Sequence, residues 1–306
     1  MRFRPLLFPL ILSVEVLALL TAAPRAAAQV PVKATQADEV SPVAGNGYFA
    51  WAQNSLRRPH HFDVYAQKGN GRPFRVNAVD TQGMPGGISG RTLVYQQWRG
   101  MQSEIEFINL EKRTRVKPPK GTNTRQWESR PSLSGPWLLF DRADRHGSFE
   151  RVLLRNLQTG AQVELARTSK YPVDRVLAGQ VAGRFAVGTI CQVRCAVFRY
   201  DISARKFTKV SPAVIPEAQD FAASVTDAGT LYLARTGSLN RCSQYQGVSL
   251  LRIPLREERS TTIETIPPRT GIGSTYATMT RHKPVVYYSR GVCNANGSDI
   301  YKISDG

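Results

Sequence analysis

The chain repeats one pattern of hydrophobic and polar positions six times. Each copy has a short apolar run, a polar loop, a second apolar run and a turn-prone segment. The first apolar runs begin at Tyr48, Thr92, Trp137, Arg184, Thr230 and Val285. Successive starts are 44, 45, 47, 46 and 55 residues apart. A nearly constant period of this length indicates a repeat architecture in which each copy is one structural unit.

Within each copy the apolar residues alternate with a period of two. The second and fourth positions of the first run are large or β-branched: Phe49 and Trp51, Leu93 and Tyr95, Leu138 and Phe140, Phe185 and Val187, Leu231 and Leu233, Val286 and Tyr288. The second runs are centred on Tyr65, Phe107, Leu154, Phe198, Leu251 and Tyr301. Alternating residues of this kind predict strands with a buried face, and no helical periodicity accompanies them.

Two further extended segments accompany most copies. One follows the second run, at 75–79, 113–116, 162–165, 207–210 and 262–266, and another precedes the first run, as at 176–181 and 221–225. Four strands in about 46 residues predict an all-β fold, a six-bladed β-propeller of four-stranded blades. Helical solenoids need amphipathic helices, and a two-sheet sandwich would not repeat at constant spacing. Five or seven blades stay open as alternatives because the terminal copies diverge most.

The two ends of the chain are predicted to meet in one blade. The sixth copy ends after its third strand, and an uncovered blade edge is a pairing hazard. Residues 29–36 contain Val30 and Val32 in alternation, so we expect them to supply the outermost strand of the last blade. An unstructured N-terminus is the alternative. The expected repeats are 38–79, 80–119, 120–169, 170–213, 214–268 and 269–306, in one propeller domain of residues 29–306.

Two of these blocks resemble the repeats of the TolB-like propeller family. They are Arg-Pro-Ser-Leu-Ser-Gly-Pro-Trp-Leu-Leu-Phe at 130–140 and Ser-Asp-Ile-Tyr at 298–301. In that family a Pro-x-x-Ser-x-(Asp)-Gly turn leads into a strand, and an Ile-Tyr strand follows. Here the turn is degenerate, since only residues 225–229 keep the Asp, with an inserted Ala. The resemblance implies the fold, and by analogy a binding or scaffolding role.

The N-terminus has the features of an export signal. Arg2 and Arg4 precede an apolar stretch over residues 6–23, and Ala26, Ala27 and Ala28 offer a small-residue cleavage pattern. We therefore predict a signal peptide over residues 1–28 and a secreted or periplasmic protein, with an uncleaved membrane anchor as the alternative. Beyond residue 28 no apolar run approaches the ~20 residues of a membrane span. No transmembrane segment is therefore expected after cleavage.

All four cysteines fall in the loop between the two main runs of a copy. Cys191 and Cys195 flank a three-residue turn in the fourth copy, while Cys242 and Cys293 occupy the equivalent loops of the fifth and sixth. An exported chain with an even number of cysteines favours disulfides. We predict Cys191–Cys195 and Cys242–Cys293, because equivalent loops of neighbouring blades emerge on one face. A metal site is the alternative, but there is no Cys-x-x-Cys motif and the chain has only four His.

Known catalytic motifs are absent from the sequence. The serine-hydrolase elbow, the glycine-rich phosphate loop and the His-Glu-x-x-His zinc motif do not occur. His60, His61, His146 and His282 are interpreted as solvated loop residues. The segment 294–299 resembles a calcium loop but lacks its closing Glu. We therefore predict no catalytic residue, no metal and no cofactor, although residues from different blades can converge on a propeller axis.

Positive charge is the one global indication of a partner. The chain carries 41 Lys and Arg against 23 Asp and Glu, a net charge of +18. Removing residues 1–28 takes away three Arg and one Glu and leaves +16. The basic clusters are 57–58, 112–120 and 142–145, which we expect in turns or outer strands. An envelope protein or an anionic polymer is therefore a plausible partner. No nucleic-acid partner is expected, because no aromatic stacking motif accompanies the charge.

The sequence thus predicts an exported, monomeric, non-catalytic binding or protein-interaction scaffold. Its expected contact face holds the cysteine loops with Arg194, Arg241 and Tyr245. The alternative is an extracytoplasmic hydrolase or lyase that acts on glycans or peptides at the propeller axis. The two hypotheses differ in what should line the axis, because an enzyme needs carboxylate, His or Tyr groups within hydrogen-bond reach there.

Overall fold

A computed structural model describes residues 30–304 except 36, 56–57, 145–148, 169–173, 193, 211–218, 237–247, 258, 268, 280–282 and 293–297. The described residues form six four-stranded antiparallel sheets. Each innermost strand contacts the innermost strands of the two neighbouring sheets, so the sheets close into a ring. The predicted all-β, six-bladed propeller is confirmed. The predicted signal peptide, residues 1–28, lies outside the described residues.

The first three blades follow the chain from the axis outwards. Blade 1 consists of β2 (Glu39–Gly45), β3 (Tyr48–Ser55), β4 (Arg58–Lys68) and β5 (Phe74–Arg75). Blade 2 consists of β6 (Gln82–Ser89), β7 (Thr92–Arg99), β8 (Gln102–Asn109) and β9 (Thr114–Val116). Blade 3 consists of β10 (Trp127–Ser134), β11 (Trp137–Ala143), β12 (Glu150–Asn156) and β13 (Gln162–Arg167).

The other three blades continue the same order, and the last borrows one strand. Blade 4 consists of β14 (Arg175–Ala182), β15 (Phe185–Cys191), β16 (Cys195–Asp201) and β17 (Lys206–Lys209). Blade 5 consists of β18 (Gln219–Val225), β19 (Leu231–Thr236), β20 (Val248–Ile253) and β21 (Thr261–Ile266). Blade 6 consists of β22 (Thr270–Met279), β23 (Pro284–Val292), β24 (Ser298–Ser304) and the N-terminal β1 (Val30–Lys33).

The ring is closed by β1 in the last blade, as predicted. β1 pairs antiparallel with β24, with Val30 opposite Lys302. Lys33 then fastens this strand to blade 1, because its ammonium group donates to Gln67 Oε1 over 3.0 Å and lies 4.3 Å from the centre of the Trp51 ring. The two ends of the ring are thereby joined by backbone pairing and by a cation–π contact.

The hydrophobic core lies between neighbouring blades. One cluster packs Leu139 and Val152 of blade 3 against Val176 and Ala186 of blade 4. Consecutive residues of a second strand are buried together, since Leu138, Leu139 and Phe140 are all 0% exposed. A blade is covered by a neighbour on each side, so both faces of its second strand are buried. The sequence alternation had indicated only one of these two faces.

The two faces of the ring carry different connections. Described turns between first and second strands, such as Gly183-Arg184, lie on one face, and the second strands end and the third strands begin at the other. We call the second one the mouth face, because the axial cavity opens there. In the described part of the chain, no helix is long and apolar enough to cross a membrane.

Candidate functional site

An axial funnel runs into the propeller from the mouth face. Its cavity has a volume of about 620 Å³, and residues of all six innermost strands line it. Met101, in the turn between β7 and β8, and Arg175, the first residue of β14, both line this cavity. Because both lie at the mouth end of their blades, the cavity opens on that face. A concave site of this size lies in the range of small-ligand pockets.

Each innermost strand has a β-bulge where it faces the axis. The strand register shifts between Val40 and Val43, and at the equivalent place in the five other blades. Arg130 lies at the bulge of blade 3 with a φ of +47°, in the left-handed region that side chains other than Gly rarely adopt. Bulges redirect side chains beside functional sites, and this one places Arg130 on the funnel wall.

The wall formed by blades 3 and 4 is charged. Arg130 Nη1 lies 2.7 Å from Asp141 Oδ2 and 3.8 Å from Glu150 Oε1. Arg175 contacts the same glutamate, with its Nε 2.9 Å from Oε2 and its Nη2 3.2 Å from Oε1. The backbone amides of Val176 and Ala178 donate to Glu150 and Asp141 over 3.2 and 2.6 Å. Two guanidinium groups and two carboxylates therefore form one network.

Exposure differs between the two kinds of charge in this network. The side chains of Arg130 and Arg175 are each 44% exposed, whereas those of Asp141 and Glu150 are 0% and 5% exposed. Burial raises the pKa of Asp141 to about 7, against the opposing effect of the Arg130 guanidinium. The network is balanced in formal charge, but its positive groups are the ones in contact with solvent.

The wall formed by blades 2 and 3 is apolar towards the mouth. It contains Met84, Trp98, Met101 and Trp127, and Met101 is 84% exposed. Trp98 and Trp127 are half-buried. Large apolar side chains at a concave, solvent-accessible place are typical of binding surfaces.

The far end of the funnel is closed by side chains that cross between blades. Gln180 of blade 4 accepts from the Val225 amide of blade 5 over 3.3 Å and from the Ala277 amide of blade 6 over 3.0 Å. Its amide nitrogen donates to the Ala277 carbonyl over 2.7 Å. Tyr276 of blade 6 contacts the Ile88 backbone of blade 2. We call Gln180 and Tyr276, together with the contact between Gly86 and Pro131, the funnel floor.

Gly86 and Pro131 bring the innermost strands of blades 2 and 3 together at the floor. A Cβ atom on Gly86 would overlap the Pro131 carbonyl oxygen. Only glycine therefore permits this approach of the two backbones. In the part of the chain that the structure describes, these contacts close the far end, so the funnel is blind with its entrance on the mouth face.

The predicted Cys191–Cys195 disulfide is present, with an S–S distance of 2.01 Å. Cys191 pairs with Arg175, so the disulfide lies at the funnel mouth. Arg194 is an exposed residue of the same turn. Cys242, Cys293, Arg241 and Tyr245 lie outside the described residues, so the second disulfide and the rest of the predicted contact face stay predictions.

Other residues singled out by the sequence have structural partners. His60 and His61 lie in β4, so their placement in a loop was wrong; His61 Nε2 lies 3.5 Å from Asp63, which also pairs with Arg75 at 2.6 Å. His146 and His282 lie outside the described residues. In the parts of the chain that the structure covers, no three His, Cys, Asp or Glu side chains group as metal ligands would. The five cations Lys112, Arg113, Arg115, Lys117 and Lys120 are exposed in and beside β9, as expected.

The placement of Arg142 in a turn or outer strand was wrong. It lies in β11, is 7% exposed, and its Nε donates to Glu128 Oε1 over 2.9 Å. The same guanidinium donates to the carbonyls of Gly121 and Thr122 over 3.1 and 3.0 Å. This arginine therefore stabilises the segment that leads into β10. It does not add positive charge to the surface, because its guanidinium group is paired with buried acceptors.

The funnel residues themselves were not identified from the sequence. Arg130 entered only as part of a repeat motif, and Asp141, Glu150, Arg175 and Gln180 were not singled out. One local signal was available, because Asp141 directly follows the apolar residues 138–140 of a buried strand. A charge at such a position needs a partner, and a partner from another strand is not visible in sequence spacing.

Comparison with known proteins shows the fold. No family model matches the sequence, and no curated protein matches it. Among solved structures, a candidate TolB from Agrobacterium tumefaciens is similar with a TM-score of 0.57 and 11% identity, over 89% of this chain and 92% of that one. TolB from Acinetobacter baumannii is similar with a TM-score of 0.53 and 12% identity, over 85% of this chain. This chain spans 64% of the length of that TolB.

A third similar structure is the β-propeller domain of the Trilobed protease from Pyrococcus furiosus. It has a TM-score of 0.52 and 12% identity, over 89% of this chain and 94% of that domain. That propeller is described as having an open velcro topology, whereas here β1 closes the last blade. At these identities the comparisons establish a shared TolB-like six-bladed propeller fold.

Proposed function

We propose that this protein is an exported, non-catalytic β-propeller that acts as a binding or protein-interaction scaffold and receives its ligand in the axial funnel. The observation that carries this proposal is the blind funnel, which is built on a closed ring and has a network of paired charges on one wall. A closed ring presents its wall residues in fixed positions, so little ordering entropy is lost when a ligand binds.

The geometry of the acidic groups favours binding over catalysis. Asp141 has a pKa near 7, as a general acid or base would, but its side chain is 0% exposed behind Arg130. Glu150 has both carboxylate oxygens bonded, by Arg175 and by the Val176 amide. A catalytic group must reach the reacting atoms of the substrate. The alternative, a hydrolase or lyase with an axial site, has support only in the convergence of these two carboxylates.

The partner we infer is an envelope protein or another anionic envelope component. We expect this partner to contact the mouth face, where the sequence analysis predicts Arg194, Arg241 and Tyr245. The TolB-like fold adds an analogy of fold and not of function, because fold alone does not carry function. The secreted or periplasmic location rests on the N-terminal segment of the sequence.

Site-specific photocrosslinking tests the proposal. A photoreactive phenylalanine derivative is placed in the full-length protein at Met101 or Arg194 on the mouth face, and at the exposed Arg184 on the opposite face as the matched control. We expect a discrete protein adduct in cells from the mouth-face positions and none from Arg184. Equal adducts from both faces, or none from the mouth face, would contradict the proposed role.

A further inference from the structure

We propose that the funnel binds an acidic peptide segment, holding one carboxylate on Arg130 and an adjacent apolar side chain against Trp98 and Trp127, an inference that rests on the binding role proposed above. Three independent features of the funnel carry it: the orientation of its charges, the position of its apolar wall and its single entrance.

The charges of the network are arranged with the cations towards the cavity. Arg130 uses Nη1 to contact Asp141 and Glu150, and its other guanidinium nitrogens make no hydrogen bond to the residues that the structure describes. Its side chain is 44% exposed, while the two carboxylates are almost completely buried. A planar guanidinium group held in this way offers paired donors that match a carboxylate.

Arg130 is held in a fixed position on the funnel wall. Its backbone has a φ of +47° at the bulge, and its amide donates to Gln96 Oε1 over 3.2 Å. Asp141 in turn is fixed by the Ala178 amide of the next blade over 2.6 Å. Arg130 is therefore anchored through its backbone amide and through one guanidinium nitrogen. Its side chain needs little reorganisation to bind a ligand.

The apolar wall lies beside this cation, because Trp127 and Arg130 belong to the same strand, β10. Met84, Trp98 and Met101 extend the wall across blade 2. A ligand that fills the cavity must therefore present an apolar group next to its negative charge. Methionine side chains adapt to differently shaped apolar groups. This combination fits a peptide with acidic and aromatic or aliphatic side chains, and fits a polyanion without apolar groups less well.

The closed floor determines how such a segment enters. Gln180 and Tyr276 block the far end, so a chain cannot thread through the ring. A cavity of about 620 Å³ with one entrance accepts a chain end or a tight loop a few residues long. We therefore expect a short segment to be sufficient for binding.

Two short peptides test the inference on the full chain at pH 8.5. The probes are acetylated and amidated Phe-Glu-Phe-Glu and its uncharged counterpart Phe-Gln-Phe-Gln, titrated by calorimetry and by tryptophan fluorescence. We expect the acidic peptide to bind at least tenfold more tightly, since one charge-assisted pair contributes about this factor. The Arg130→Lys variant keeps the partner of Asp141 but loses the planar fork, and should weaken binding of the acidic peptide at least fivefold while changing the uncharged peptide less than twofold.

Asp141→Asn provides a test with the opposite sign. Removing the buried carboxylate leaves Arg130 less neutralised, so the acidic peptide should bind at least threefold more tightly. If Arg130 and Asp141 only maintained the structure, both Arg130→Lys and Asp141→Asn would weaken binding of the acidic peptide. Arg113→Met, in the exposed turn before the outer strand β9 of blade 2, is the charge control and should leave both affinities unchanged.

The outcomes separate this inference from the proposed function. Equal affinity for the two peptides, or an equal loss in Arg113→Met and Arg130→Lys, would overturn the carboxylate site. Absence of binding by both peptides, with adducts still formed at Met101, would overturn the peptide chemistry and leave the scaffold role intact. If adducts at Met101 are absent as well, both proposals fail.

Discussion

The mouth and the floor of the funnel are built from the same six innermost strands, but their contacts differ. At the floor, glycine permits direct backbone approach, and the side chain of Gln180 makes three hydrogen bonds to two other blades. At the mouth, Arg130, Arg175 and Met101 remain in contact with solvent. The comparison teaches that one end of a propeller strand can hold the ring together while the other end is free to bind. Changes at the floor should therefore affect stability, and changes at the mouth should affect ligand affinity.

The largest effect is expected from Gly86→Ala at the floor. The new Cβ would overlap the Pro131 carbonyl oxygen, so the innermost strands of blades 2 and 3 would have to separate. We expect the free energy of unfolding in urea to fall by about 4 kcal/mol or more. Gly90→Ala is the control, because nothing lies near its Cβ position and only its φ of +58° is unfavourable. That control should cost about 1 kcal/mol, and equal losses in the two variants would contradict the close-approach argument.

A smaller effect is expected from Gln180→Ala. The substitution leaves the Val225 and Ala277 amides and the Ala277 carbonyl without their partner at a buried position. We expect a loss of about 3 kcal/mol in the free energy of unfolding, with affinity for the acidic peptide within twofold of the unmodified protein. Gln158→Ala, in an exposed turn, should change stability by less than about 0.5 kcal/mol. A large loss of affinity with unchanged stability would reverse the assignment of roles to floor and mouth.

The smallest effect for a single step of one pH unit concerns the pH dependence of stability at the mouth. Burial raises the pKa of Asp141 from 3.8 to about 7, so between these values the folded protein binds a proton that the unfolded chain has released. The contribution of this group to stability is therefore present at low pH and is lost as pH rises towards about 7, by at most about 1.4 kcal/mol per pH unit. Urea unfolding is measured at pH 4.5, 5.5, 6.5 and 7.5. As the pH rises, the free energy of unfolding of Asp141→Asn should increase relative to that of the unmodified protein. A difference that does not change with pH would show that Asp141 keeps an ordinary pKa.

The strand pattern was predictable because a blade is a local unit. The predicted first runs at Tyr48, Thr92 and Trp137 coincide with the starts of β3, β7 and β11. Outer strands were less exact, since the strand expected at 75–79 is β5, Phe74–Arg75. Outer strands are short and exposed, so their ends depend on few buried contacts. The Cys191–Cys195 hairpin was also local, and it was predicted correctly.

By itself, the sequence determined the repeat and the order of strands within each blade, and it predicted six blades and the closing strand while leaving five or seven blades and an unstructured N-terminus open. Those features follow from period-two burial and from a constant spacing, both of which are written along the chain. Only the tertiary structure decided which charges meet at the axis, because Arg130, Asp141, Glu150 and Arg175 pair across strands and blades. The depth of the funnel was likewise decided in three dimensions, where Gln180 reaches a backbone group 97 residues away. Which residues are buried in a strand follows from the local alternation of apolar and polar residues. A binding site depends on contacts between residues that are far apart in the sequence.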